Sequence, residues 1–231
     1  MKVLVTQPNY IPWKGYFDLI AKADEFVVLD DVKYTNRDWR NRNLIKTPQG
    51  TIWLNIPIYK EEKMLIKDAS VKNFSWVDEH LNKIERNYKK SNYFDSIYPT
   101  LQKIYKGLRS DKLIDINIEI INFICKYLEI DTQISFSSDI KNKNVEKSNR
   151  ILDICINKNA TTYITSSKSK NYLDENLFKN NKINIEFEDF KNYPKYRQLW
   201  EDFEEKVSVI DLLFNQGPNS YKFMKYIKPK E

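Results

Sequence analysis

Glycine, histidine and cysteine are scarce in this chain. Only four glycines, at 15, 50, 107 and 217, stand among 231 residues. No glycine-rich phosphate loop can be written with them, neither the dinucleotide-binding form nor the P-loop form. His80 is the only histidine. That excludes a multi-histidine metal site and forces any Ser-His-Asp arrangement to use it, and no metal ligand is assigned. Cys125 and Cys155 are the only cysteines, too few for a disulfide framework or a four-cysteine zinc site. Both fall among apolar neighbours in expected helices, where thiols are inert. No apolar run approaches the ~18 residues of a membrane span. Met1 to Pro8 lacks the long apolar core and cleavage site of a secretory signal. The expected location is the cytoplasm.

What is present suffices for a core. The hydrophobic fraction is 41 % and the aromatic fraction 14 %, against the composition of disordered chains. The net charge is +6, from 38 Lys and Arg against 32 Asp and Glu. It is spread rather than blocked. An anionic partner would suit it, but a general richness in Lys, Asn and Ile is the plainer account of a spread charge.

Lys2 to Thr6 reads as a buried strand, and Gln7 to Trp13 as an irregular loop fixed by Pro8 and Pro12. Gly15 to Ala23 has helical periodicity, and Glu25 to Leu29 reads as a second strand. This strand–loop–helix–strand unit has the length of a parallel crossover. Residues 31 to 50 are polar and irregular, closed by a turn at Pro48-Gln49-Gly50. Ile52 to Ile58 reads as a strand, which Pro57 pushes towards an edge or strand end. Met64 to Val71 is expected to be extended. Trp76, His80, Ile84 and Tyr88 share one helical face. Tyr93 to Leu108 and Leu113 to Leu128 predict two further helices. Alternation then returns: strands at 134–136, 161–165 and 183–187, helices at 145–157, 172–178 and 207–214. Asn215-Gln216-Gly217-Pro218 is a helix stop. The expected fold is α/β with a mainly parallel, Rossmann-like sheet and a helical insert at about 75–130. Residues 1–217 form the expected single domain, and 218–231 a basic, mobile C-terminal tail.

In open parallel sheets, ligands bind beyond the carboxyl ends of the strands. That rule selects three loops: Gln7–Lys14, Asp30–Asn43 and Ser166–Asn171. The second holds three carboxylates, three guanidiniums, three amides and two aromatic rings within fourteen residues. Arg37, Arg40 and Arg42 suit phosphate or carboxylate groups, Trp39 suits stacking, and Asn41 and Asn43 suit hydrogen bonding. The same composition fits a solvated loop with local salt bridges. In the first loop, Gln7 and Asn9 are candidate hydrogen bonders. Tyr10, Trp13 and Tyr16 are candidate walls, and Lys14 a candidate charge. A rigid proline-locked plug over the sheet is the plainer alternative. His80 has the chemistry of a general base, but its apolar helical face suits a hydrogen-bonded core residue. Tyr196 and Gln198, in a polar, basic and aromatic stretch, are candidate ligand-facing residues.

At these residues the chain resembles the WbqC-like proteins. The resemblance is carried by the motifs Gln7-Pro8-Asn9-Tyr10-Ile11-Pro12-Trp13-Lys14-Gly15-Tyr16-Phe17, Phe26-Val27-Val28-Leu29-Asp30-Asp31-Val32 and Trp39-Arg40-Asn41-Arg42-Asn43-Leu44-Ile45-Lys46. Trp53-Leu54-Asn55-Ile56-Pro57-Ile58, Trp76 with His80, and Pro194-Lys195-Tyr196-Arg197-Gln198 extend it over nearly the whole chain. Ile11 and Lys33 depart from the family's usual Leu and Gln. The resemblance implies a role in bacterial surface-polysaccharide (O-antigen, lipopolysaccharide) biosynthesis. The implied reaction is amide formation between an amino acid such as glycine and the amine of a nucleotide-linked amino-deoxy sugar. The acyl donor is left open between ATP-driven activation with Mg2+ and an aminoacyl-tRNA. A fainter resemblance links the opening strand, loop and helix to nucleotidylyltransferase-like folds. Their histidine signature is missing here, with Trp13, Gly15 and Tyr16 nearby instead. For amide formation, Asp30, Asp31 and His80 are the candidate proton acceptors, while Lys14, Arg37, Arg40 and Arg42 are the candidate diphosphate ligands. A nucleotidylyl-transfer or other sugar-nucleotide enzyme, and a non-catalytic glycan-assembly binding protein, are the alternatives.

Overall fold

The computed structural model describes residues 1–59, 62–141 and 147–228. Five strands form one parallel sheet: β1 (Lys2–Thr6), β2 (Glu25–Val28), β5 (Gln133–Phe136), β6 (Thr162–Ser166) and β7 (Asn184–Glu188). Their spatial order is β5-β2-β1-β6-β7. The chain therefore builds outward from β1 on one side, then crosses to the other side for β6 and β7. That reversal makes the β1/β6 boundary the topological switch point of a doubly wound α/β fold.

Strand alternation explains the layers. Leu4, Phe26 and Val28 join a large core with α1 (Lys14–Lys22), α2 (Ser75–Tyr88), α3 (Phe94–Gly107), α4 (Leu113–Tyr127) and α7 (Val209–Gln216). Val3, Val5 and Val27 face the other way, towards α5 (Lys147–Asn157) and α6 (Glu175–Asn180). Both sheet faces are thus buried, as near-continuous apolar strands require.

β2 and β5 are sheet neighbours, yet residues 29–132 separate them. This crossover holds the three expected helices and also an antiparallel hairpin, β3 (Arg42–Thr47) with β4 (Gly50–Asn55). β3 had been expected as irregular chain. Its inward face carries Asn43 and Thr47 beside Ile45, so polar residues mask the period of two. Met64 to Val71 also departs from expectation. It contains a 3-10 turn, Ile66–Asp68, strapped to the loop after β2 by Ile66 N–H to Val32 O and Lys67 N–H to Asp30 O, both 2.9 Å.

The helix stop after 214 forms as expected. Gly217 caps α7 at φ +52° with a Tyr93 ring carbon 2.3 Å from where a Cβ would sit, so only glycine fits. Among the described residues, the chain beyond it is docked rather than a mobile tail. Gly217–Phe223 forms a 3-10 helix, and the Lys225 and Tyr226 N–H groups donate to the buried Asp18 carboxylate at 2.9 Å each. A carboxylate on α1 thereby gives this segment a fixed anchor. Residues 229–231 lie outside the described residues. Among the described residues no helix is long and apolar enough to cross a membrane.

Candidate functional site

A cleft of about 270 Å³ opens at the switch point. Thr6 and Gln7 enter it from the end of β1, Arg40 from the loop before β3, and Thr165, Ser166, Ser169 and Tyr172 from the end of β6 and its following turn. Leu4, Leu19, Leu29, Ile151 and Tyr163 supply its apolar walls. All three loops selected by the strand-end rule thus contribute here or border it. A larger depression of about 590 Å³ lies beside α6 and the start of β7. It is at the amino end of an edge strand, away from the switch point.

The wall beyond β6 is a chain of hydroxyls. Thr165 Oγ1 lies 2.7 Å from Ser169 Oγ, which lies 2.9 Å from Tyr172 Oη. Each hydroxyl both donates and accepts, so the chain can reorient around either kind of ligand group. Arg40 faces this wall with a fixed guanidinium. Its Nη1 donates to Asn9 Oδ1 at 3.2 Å and its Nη2 to the Asp38 carboxylate. Its Nε is buried with no partner among the described residues, an N–H that costs free energy unless an acceptor arrives. The local backbone is equally fixed: Tyr10 N–H donates to Trp39 O at 2.9 Å, and Asn117 Nδ2 to Arg40 O at 2.8 Å.

Beside the cleft, Asp31 follows the wall residue Leu29 by two positions and pairs with Arg150, the neighbour of wall residue Ile151. Burial would raise the Asp31 carboxyl, but hydrogen bonds from Arg150 and Ser137 hold it below its ordinary value. Asp30 is used differently. It is buried, and it accepts from Ser137 Oγ at 3.0 Å, Ser138 N–H at 2.9 Å and Ser138 Oγ at 2.7 Å. It fastens the turn after β5 to the end of β2.

Several expected site residues belong to the interior. His80 is 1 % exposed, and its Nδ1 lies 2.7 Å from Tyr10 Oη, itself 2.6 Å from Tyr105 Oη. Burial pushes its pKa down to about 4 against the pull of Glu79; the backbone of Asn55 pulls the same way, although Nε2 has no partner in good hydrogen-bond geometry. The general-base expectation for His80 is corrected: packed at the edge of the Trp76 ring, it serves the core. Tyr10 is likewise core rather than wall. Tyr16 is buried, with its hydroxyl donating to Gln7 O at 3.0 Å. Asn43 donates to Tyr10 O at 3.1 Å and Ile11 O at 2.9 Å. It thereby holds Ile11 at φ +36°, a conformation that costs a β-branched residue dearly. Asn41 donates to Ile56 O at 2.8 Å and ties the loop to β4.

Trp13 packs against Phe190 and Tyr193. Lys14 is 4 % exposed, donates to Pro194 O at 3.3 Å and lies 4.6 Å from the Tyr193 ring centroid. Burial lowers its pKa to about 8 against Glu205 and Asp18. Tyr196 and Gln198 are buried with Asp211. These four fasten the chain after β7 to the body and do not line the cleft. Arg37 and Trp39 are exposed, and Arg42 half-buried, on the outside of the loop and hairpin. Cys125 and Cys155 are buried, and burial pushes both thiols up to about 12.

The WbqC-like protein family model matches residues 7–223. The chain belongs to the WbqC-like protein family. It is also 38 % identical to "Uncharacterized protein Rv1507c" of Mycobacterium tuberculosis, over 98 % of this chain and 99 % of that protein. No solved structure matches it. In this WbqC-like chain, the polar cleft residues that sequence reasoning did not single out are Thr6, Thr165, Ser166, Ser169 and Tyr172, with Arg150 beside them. The strand-end rule had already selected the loop that holds Ser166 and Ser169.

Proposed function

We propose that the switch-point cleft holds the phosphorylated part of a nucleotide-linked amino-deoxy sugar. There the protein joins a small amino acid of the glycine class to the sugar's amine, as a step of surface-polysaccharide biosynthesis. Family membership and the doubly wound sheet support this reading. The observation that carries it is the Arg40 guanidinium, anchored by Asn9 and Asp38, with its Nε–H buried and unpartnered, on a residue that lines a cleft walled by hydroxyls. Such a donor set suits a phosphate beside a sugar.

In the proposed step, the neutral amine attacks the carbonyl carbon of an activated acyl group. A C–N bond forms, and the C–O bond to the leaving oxyanion breaks. Asp31, a carboxylate beside the cleft, receives the proton that the amine loses. Direct attack fits the buried, high-pKa thiols better than a covalent acyl-enzyme. Holding both reactants in one cleft supplies the rate by orientation.

Mass spectrometry of the amino sugar nucleotide after incubation with the protein tests this. One tube holds glycine, ATP and Mg2+; another holds glycyl-tRNA without ATP. A glycyl mass gain in either supports the reading and identifies the donor. No gain in either, with folded protein, removes glycine transfer to this acceptor.

A further inference from the structure

The hairpin carries a surface feature that the cleft does not use. Trp39 and Trp53 are 43 % and 39 % exposed. Their ring centroids lie 5.6 Å apart at 41°, and the Arg42 guanidinium lies 4.2 Å from the Trp53 centroid. Strand register explains the grouping. Arg42 pairs with Asn55 and Leu44 with Trp53, so Arg42 and Trp53 are diagonal neighbours on one face. The other face, with Asn43, Ile45 and Leu54, is buried.

This is not a loose surface ring. The Trp39 carbonyl accepts from Tyr10 N–H at 2.9 Å, and the Asn41 carbonyl from Ile56 N–H at 2.8 Å. Between them, the Arg40 carbonyl is held by Asn117. A rigid backbone therefore presents Trp39 outward, while the next residue, Arg40, points into the cleft. Two tilted indoles, one with a guanidinium over its face, form an aromatic patch with ring surface left in water. A planar base packs favourably on an exposed indole face of such a patch, and any base has a face to offer.

We propose that Trp39, Trp53 and Arg42 form a stacking platform for the nucleobase of the ligand whose phosphates lie at Arg40. The proposal rests on the nucleotide reading of the cleft and adds how the base is held. Ring stacking reads no base edges, so the platform accepts purines and pyrimidines alike. ADP represents an activating nucleotide and dTDP the nucleotide of an acceptor sugar, and both carry the chemistry that the platform recognises.

Calorimetric titration of the full chain with dTDP, ADP and inorganic pyrophosphate tests this. At least one nucleotide should bind about fivefold or more tightly than pyrophosphate. Trp39→Ala and Trp53→Ala should each weaken that nucleotide about 5- to 100-fold and leave pyrophosphate unchanged. Trp39→Phe keeps a ring and should retain most of the affinity, whereas Arg40→Ala should weaken nucleotide and pyrophosphate together. If the wild type binds pyrophosphate as tightly as both nucleotides, or Trp39→Ala binds them like the wild type, the platform is overturned and the cleft reading stands. If the wild type binds none of the three, the nucleotide reading and the platform fall together.

Discussion

Two polar clusters in this molecule differ in one respect, whether their hydrogen bonds are already closed. Around Asp211 every strong group has a partner. Its carboxylate accepts from Tyr88 Oη at 2.9 Å, Tyr196 Oη at 2.7 Å and Gln198 Nε2 at 2.9 Å. Lys46 Nζ gives its three protons to Gln198 Oε1 at 2.9 Å and to Trp200 O and Asp202 O at 2.6 Å each. That cluster ties the hairpin, α2 and α7 to the segment after β7. Around Arg40 the account stays open: one guanidinium N–H lacks an acceptor, and a row of hydroxyls faces a cleft. A closed network specifies structure, and the open one at the switch point is where the proposed ligand would sit.

The comparison can be broken by mutation. The largest effect is expected at the closed cluster. Asp211→Ala strands two buried phenols and takes one acceptor from the Gln198 amide, and should cost about 3 kcal/mol or more. Urea denaturation would register this as a lower midpoint; an unchanged midpoint would show that the network is not structural.

His80 gives an effect of similar size that depends on pH. Its folded pKa of about 4 lies below the ordinary 6.5, so the unfolded chain binds the proton more readily. Its contribution is complete above about pH 6.5 and is lost as pH falls towards 4, amounting to about 3 kcal/mol. Wild type should therefore lose more stability than His80→Gln between pH 7 and pH 4.5. Parallel loss in both proteins would remove His80 from the closed interior.

Arg40→Ala should weaken binding of the amino sugar nucleotide about 10- to 100-fold, the scale of a charged hydrogen bond. Its unfolding midpoint should shift much less than that of Asp211→Ala. Ser169→Ala should be smallest, an about two- to tenfold loss of affinity through one neutral hydroxyl. Should Ser169→Ala weaken binding more than Arg40→Ala, the centre of the site would lie along β6 rather than at the guanidinium.

Most of the sheet and helices was legible because long apolar periods carry them. The inner strands β1, β2 and β6 are largely buried and read as apolar runs, and α2 to α4 show clean helical faces. β3 was illegible because Asn43 and Thr47 point inward, their polarity spent on the loop backbone and the core. The docked segment after Gly217 was illegible for a related reason. Its anchor is Asp18, some two hundred residues earlier, and nothing in its own lysines and aromatics points to that partner. At the site, the strand-end rule selected the three loops, and Arg40 was one of three arginines whose chemistry suits an anion. Burial separated it from Tyr10, Asn43, Tyr196 and Gln198, whose polar groups close internal hydrogen bonds. Side-chain type alone cannot make that separation, since it depends on partners distant in sequence.

Hydrogen exchange measured by mass spectrometry, with and without a nucleotide-linked amino sugar, tests the central claim most directly. The account predicts slowed exchange in peptides covering Thr6–Asn9, Trp39–Arg40 and Thr165–Tyr172, with little change around Asp18 and Asp211. Protection confined to α2–α4, or to the depression beside α6, would contradict it.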